Sequence, residues 1–92
     1  MSYKIKLTKE AEKQLLQFRK SGAKKDLQKI ITIFSELQEH PTTGIGQIEA
    51  LKGNLSGYWS RRINKQSRII YTIYEDIVTV EVVSLRGHYG ER

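Results

Sequence analysis

The residue types that can do chemistry gather in the second half of the chain. Glu49 and His88 can move protons, Lys52, Arg61, Arg62, Arg68 and Arg86 carry positive charge, and Tyr58, Tyr71 and Tyr89 could stack on bases. Around them, most other routes close. There is no cysteine, so disulfides and thiolate metal sites are excluded. The two histidines lack HxxE or HxH spacing, so no metal site is expected. Glu75-Asp76 reads as turn chemistry rather than a magnesium site, and His40, just before Pro41, reads as a helix-end cap. No Gly-rich phosphate loop or GxSxG elbow is present, and Ser56 and Ser60 lack the context of a nucleophile. An enzyme built from this set works without metal or cofactor, by acid–base catalysis with cationic stabilisation. RNA suits such a site, because its 2′-hydroxyl supplies the nucleophile. The protein must then take the 2′ proton, protonate the leaving 5′ oxygen and neutralise the phosphorane. From composition alone, the plainer reading of a basic sheet with ordinary salt bridges still prevails.

Size and charge narrow the frame. Ninety-two residues make a single domain, 1–92, with a modest core. Hydrophobic content of 38% is low for a free-standing globule, yet above the range of disorder. Sixteen Lys+Arg against ten Asp+Glu give a formal charge of +6, which favours a polyanionic partner: nucleic acid, an acidic protein segment or an anionic membrane surface. The N-terminus opens no apolar run and no stretch is long enough to span a bilayer, so no membrane role and a cytoplasmic location are expected.

These residues need elements to position them. Tyr3 to Leu7 alternates and predicts a strand. Thr8 is set to cap a helix over Lys9 to Lys20, with Glu10 and Glu12 in its first turn and Ser21-Gly22 as its stop. A second helix should run from Lys24 to Glu39. Its apolar stripe is Leu27, Ile30, Ile31, Phe34 and Leu37, opposite Lys24, Lys25, Gln28 and Lys29. His40-Pro41 ends it, and residues 42 to 47 form a loop. Tyr58 to Asn64, Arg68 to Tyr74 and Ile77 to Leu85 predict three strands joined by connections of hairpin length. The expected fold is α+β: a small twisted antiparallel sheet with two N-terminal helices packed on one face. The other face is left open. Alternation puts Tyr58, Ser60, Arg62 and Asn64 on that open face and Trp59, Arg61 and Ile63 on the helix face. Trp59 is then core or partner interface, and Arg61 structural or paired with a carboxylate. Arg68 lies in a strand partly apolar on both faces, and alternation does not place it.

One stretch carries more. Glu49-Ala50-Leu51-Lys52-Gly53-Asn54-Leu55-Ser56-Gly57-Tyr58-Trp59-Ser60-Arg61-Arg62-Ile63 resembles the YoeB/Txe branch of the RelE-like toxins. The match continues through Ser67-Arg68-Ile69-Ile70-Tyr71 and ends at His88-Tyr89, covering the second half almost continuously. The resemblance implies the toxin of a type II toxin–antitoxin pair, a ribosome-dependent mRNA interferase acting in the A site. Its implied partners are mRNA on the ribosome and a YefM-like antitoxin, in a homodimer or a toxin–antitoxin hetero-oligomer. It also implies roles: Glu49 as general base, His88 as general acid, Arg68 as phosphate clamp, Tyr89 orienting the substrate, and Lys52 and Arg62 contacting RNA. Glu49 could instead orient Arg68 by a salt bridge. Asn54-Leu55-Ser56-Gly57 would shape the turn into the next strand. Here Gly90-Glu91-Arg92 follows the His-Tyr pair, where the family pattern ends, and Gly87 is expected to loosen the tail. The alternative is a non-catalytic RNA- or antitoxin-binding module.

Overall fold

A computed structural model of the chain describes residues 2–87. His88 and Tyr89 therefore lie outside the described residues, and so does the tail after them. Strand β1 (Lys4–Leu7) leads into helices α1 (Lys9–Lys20) and α2 (Lys24–Glu39), followed by strands β2 (Glu49–Ala50), β3 (Tyr58–Arg62), β4 (Arg68–Tyr74) and β5 (Thr79–Gly87). The sheet order is β1-β5-β4-β3-β2. Strands β2 to β5 form an antiparallel meander; the tight connections require it of β3 to β5, and β2 is a strand the sequence did not predict. β1 joins the free edge of β5 in parallel, so the sheet is mixed rather than wholly antiparallel. No tight turn links those two strands, and the helical hairpin between β1 and β2 leaves the direction of β1 free.

The helices form where capping and period agree. The Thr8 hydroxyl accepts from the Ala11 N–H at 3.1 Å, and Ser21 ends α1 with its N–H on carbonyls of the last turn. On α2 the buried stripe is Ile30, Ile33 and Leu37, with Leu27 and Phe34 packed beside it. Ile31 was expected in that stripe and is instead 65% exposed, while Ile33 was not expected and is buried. Both follow from where the sheet meets the helix: with a 3.6-residue period, Ile33 lies on the same side of Ile30 as Leu37, about 60° round the helix, whereas Ile31 lies about 100° round on the other side.

The helices cover one sheet face. Their residues meet Ile69, Tyr71, Val80, Val82 and Leu85 from the sheet, with Trp59 and Ile73 partly buried at the margin. Val80 and Val82 alternate regularly, but the next buried position is Leu85 rather than Ser84. Register shifts between β4 and β5 account for that step. The Leu85 N–H that such an irregularity turns from the ladder is met by the Gln14 carboxamide oxygen at 2.6 Å. Gln14 is itself buried, and its amide nitrogen donates to Glu10 at 2.9 Å. A polar residue inside α1 thus satisfies a donor that would otherwise be buried without a partner.

β3 and β5 differ from their expected limits. β3 ends at Arg62, because the Asn64 side chain accepts from the Gln66 and Ser67 N–H groups, both at 2.8 Å, and closes the turn. β5 starts at Thr79, after a 3-10 turn at Glu75–Ile77 and a left-handed Val78.

Candidate active site on the open sheet face

Cross-strand register decides which functional side chains meet. Arg62 pairs with Arg68, Ser60 with Ile70, and Glu49 with Ser60. Side chains paired across a ladder share a face. Glu49, Ser60, Arg62 and Arg68 therefore all lie on the face opposite the helices, and pairing settles the facing of Arg68 that alternation left open.

The Arg68 guanidinium is held from two sides. Its Nε donates to the Ser60 hydroxyl at 2.9 Å, and one terminal nitrogen donates to the Gln47 carbonyl at 2.7 Å. The same nitrogen lies 3.9 Å from a Glu49 carboxylate oxygen. That spacing is the outer limit of an ion pair, and the Glu49 side chain is half exposed, so the attraction is weak. Among the described residues, no hydrogen bond is donated to the Glu49 carboxylate. It remains half exposed while Arg68 is fixed beside it. Such an arrangement can bind a phosphate at a planar cation and take a proton from a group next to it.

Arg62 adds a second cation to this face. Arg62 is exposed, and Lys52 is exposed just before the 3-10 turn Gly53–Leu55. That turn and Gly57, at φ 95°, bring the chain into β3, the turn-shaping role expected of Asn54 to Gly57. Tyr58 is partly exposed on the same face, with Thr72 across the ladder.

Three of the sequence candidates are elsewhere. Tyr71 is fully buried on the helix face, so it cannot stack on a base. Arg61 is also fully buried, and pairs with the Glu36 carboxylate at 2.8 Å as the carboxylate-paired reading expected. Its charge is not presented at the open face. Arg86 lies with its guanidinium 4.2 Å over the Phe18 ring and donates to Gln17 at 3.3 Å, so it belongs to the contact with α1.

Gly87 is the last residue of β5 and pairs with Arg68. A Cβ on it would come within 2.4 Å of the Ile70 side chain. The glycine therefore permits close packing of strand on side chain; the loosening expected of it concerns the tail, which lies outside the described residues. His88 follows Gly87 directly in sequence, beyond the described residues.

Sequence reasoning missed two groups: the Ser60 hydroxyl and the Gln47 carbonyl. For Ser60 a signal existed, since alternation already placed it on the face of Arg62. It was weighed as a nucleophile and not as an acceptor. For Gln47 there was none, because a backbone carbonyl in an irregular loop has no sequence signature.

Known proteins resemble the chain throughout. A family profile described as the YoeB-like toxin of bacterial type II toxin–antitoxin systems matches residues 7–89. Toxin YoeB of Synechocystis is 41% identical over 87 residues, covering 94% of this chain and 96% of that protein. A YoeB/ParE toxin structure from Agrobacterium tumefaciens superposes with TM-score 0.86 at 30% identity, covering 94% of this chain and 99% of the other. The Staphylococcus aureus YoeB dimer matches at TM-score 0.84 and 31% identity, covering 97% of this chain and all of that one. The same toxin in its heterotetrameric complex with YefM matches at TM-score 0.80 over the same shares of each chain.

Proposed function

This chain belongs to the YoeB-like toxins of bacterial type II toxin–antitoxin systems, and from that premise we propose that it is an endoribonuclease that cleaves mRNA in the ribosomal A site. The observation that carries the reading is the fixed, largely buried Arg68 guanidinium with the half-exposed Glu49 carboxylate beside it on the sheet face opposite the helices.

The chemistry follows from those groups. Glu49 takes the proton from the 2′-hydroxyl, whose oxygen attacks the adjacent phosphorus. Arg68 neutralises the charge that develops on the phosphorane oxygens, where a preorganised cation is most effective. The P–O5′ bond breaks, and His88 gives its proton to the departing 5′ oxygen. The products are a 2′,3′-cyclic phosphate and a 5′-hydroxyl. Tyr89 orients the substrate near the scissile bond, and Lys52 and Arg62 contact the RNA backbone. The work takes place in the cytoplasm, where ribosomes present their messages.

Its neutralising partner is a YefM-like antitoxin. A charge of +6 makes an acidic, mostly disordered segment a suitable ligand. The S. aureus relatives, a dimer alone and a heterotetramer with YefM, support a similar choice of assemblies here.

The decisive experiment adds the purified chain to a translating extract and maps mRNA ends. Cuts tied to codons in the A site are expected, with 2′,3′-cyclic phosphate termini. Intact mRNA from correctly folded protein would leave the non-catalytic binding reading, whose mark is salt-sensitive RNA binding without cleavage.

A further inference from the structure

The Arg61 guanidinium is fully buried, an expensive place for a charge. Three of its five hydrogen bonds go to one segment. The two terminal nitrogens bond the carbonyls of His40 and Thr43, both at 2.7 Å, and of Ile45 at 3.4 Å. One of them also meets the Glu36 carboxylate at 2.8 Å, and Nε donates to the Tyr71 hydroxyl at 3.2 Å. The Tyr71 hydroxyl donates in turn to the Pro41 carbonyl at 2.7 Å, and Glu36 accepts the Ile45 N–H at 3.0 Å. Next along β3, the Arg62 N–H donates to the Gly46 carbonyl.

The segment so gripped has little else to hold it. Residues 42–44 are exposed, and 41–46 belong to no helix or strand. Two of its residues are glycines with positive φ, so ordering it carries a high conformational cost. Both glycines lie against the grip. A Cβ on Gly44 would fall 2.1 Å from a Glu36 carboxylate oxygen, and one on Gly46 3.2 Å from the Arg61 Cβ. Two residues after the last carbonyl held by Arg61 comes Gln47, in the left-handed region at φ 50°. Its carbonyl holds the Arg68 guanidinium at 2.7 Å.

We propose that Arg61 is a positioning residue for Arg68: from the helix side of the sheet it fixes segment 40–46, and Gln47, the residue that follows the segment, holds the Arg68 guanidinium on the opposite side. Its weight in catalysis rests on the ribonuclease reading above. The structural part does not, and the two can be tested apart.

The test uses Arg61→Lys, which keeps the charge but cannot span the several acceptors. Two readouts apply. The first is single-turnover mRNA cleavage on programmed ribosomes. The maximal rate should fall about ten-fold, with the half-saturating ribosome concentration moving less than about two-fold, as expected when a reacting group is misplaced and not lost. The second is the Nε–H resonance of Arg68 in protein labelled with nitrogen-15 arginine. It should exchange slowly with water in the parent and faster in the variant. If Arg61→Lys fails to fold, Glu36→Ala takes its place. It removes one anchor from a helix position that tolerates alanine, and a smaller change of the same kind is expected, about three-fold. A folded variant with parental cleavage and a parental Arg68 resonance overturns the proposal. If the parent itself does not cleave mRNA, the ribonuclease reading fails. The resonance then decides the positioning role by itself.

Discussion

Arg62 and Arg68 stand directly opposite each other as cross-strand partners on β3 and β4. Like charges so placed destabilise a sheet. The sheet holds Arg68 in spite of this, through the Ser60 hydroxyl and the Gln47 carbonyl. Two cations on one face concentrate positive potential where a phosphate backbone would lie.

Replacing Arg62 should therefore separate stability from RNA contact. Arg62→Thr is expected to raise unfolding free energy by about 0.5 kcal/mol, read from a urea titration, because the repulsion is relieved. The same change should weaken RNA binding and flatten its salt dependence by about one phosphate contact. Stronger RNA binding by the variant would contradict the role given to Arg62.

The catalytic roles are tested by removal. Glu49→Ala, Arg68→Ala and His88→Ala should each slow mRNA cleavage by about ten-fold or more. Ser60→Ala should cost less, about three-fold, since Gln47 still holds the other side of Arg68. Full toxicity of His88→Ala would remove its assignment as the acid.

Alkaline pH should destabilise the fold through Tyr71. Burial holds its hydroxyl above the ordinary tyrosine value, and the nearby Arg61 offsets this only in part. In the unfolded chain the group ionises near pH ~10. The stability it contributes is thus complete below that pH and is lost as pH rises toward the folded value. Tyr71→Phe should lower stability by about 1–3 kcal/mol at neutral pH, where Pro41 and Arg61 lose a partner. It should also make the alkaline decline shallower. Some decline will persist, because hydrogen bonds to Glu75 and Glu81 hold Tyr3 and Tyr74 above the ordinary value as well. Urea midpoints across that pH range give the comparison, and an unchanged slope would count against the burial effect.

Gln14 offers a control remote from the proposed chemistry. Gln14→Leu should leave the buried Leu85 N–H without a partner and cost about 1–3 kcal/mol. Cleavage per folded molecule should stay at the parental rate. A neutral effect on stability would show that water or a register change satisfies that donor.

How far the sequence could be read depended on how local each cause was. α1 and α2 were legible to the residue, because Thr8, Ser21-Gly22 and His40-Pro41 act on their own neighbours and the apolar period repeats. The facing of Arg62 was legible too, since one strand with a polar alternate set determines it. Ile31 and Ile33 were misplaced because the sheet, and not the helix, chooses the centre of the buried stripe. The directions of β3 to β5 followed from their tight connections, but β2 was not expected as a strand and the direction of β1 was not fixed.

The candidate site divides in the same way. By themselves, the residues from Glu49 to Tyr89 determined the chemistry on offer and, through resemblance, the family. Only the tertiary structure decided which of them meet. It turned Tyr71 inward, and it gave Arg61, which alternation already put on the helix face, the acceptors a buried guanidinium needs in the carbonyls of segment 40–46. It brought Arg68 between Ser60 and Gln47, because pairing register and a loop far away in sequence act on it together. Contacts of that kind depend on distance in space, which one strand's alternation does not encode.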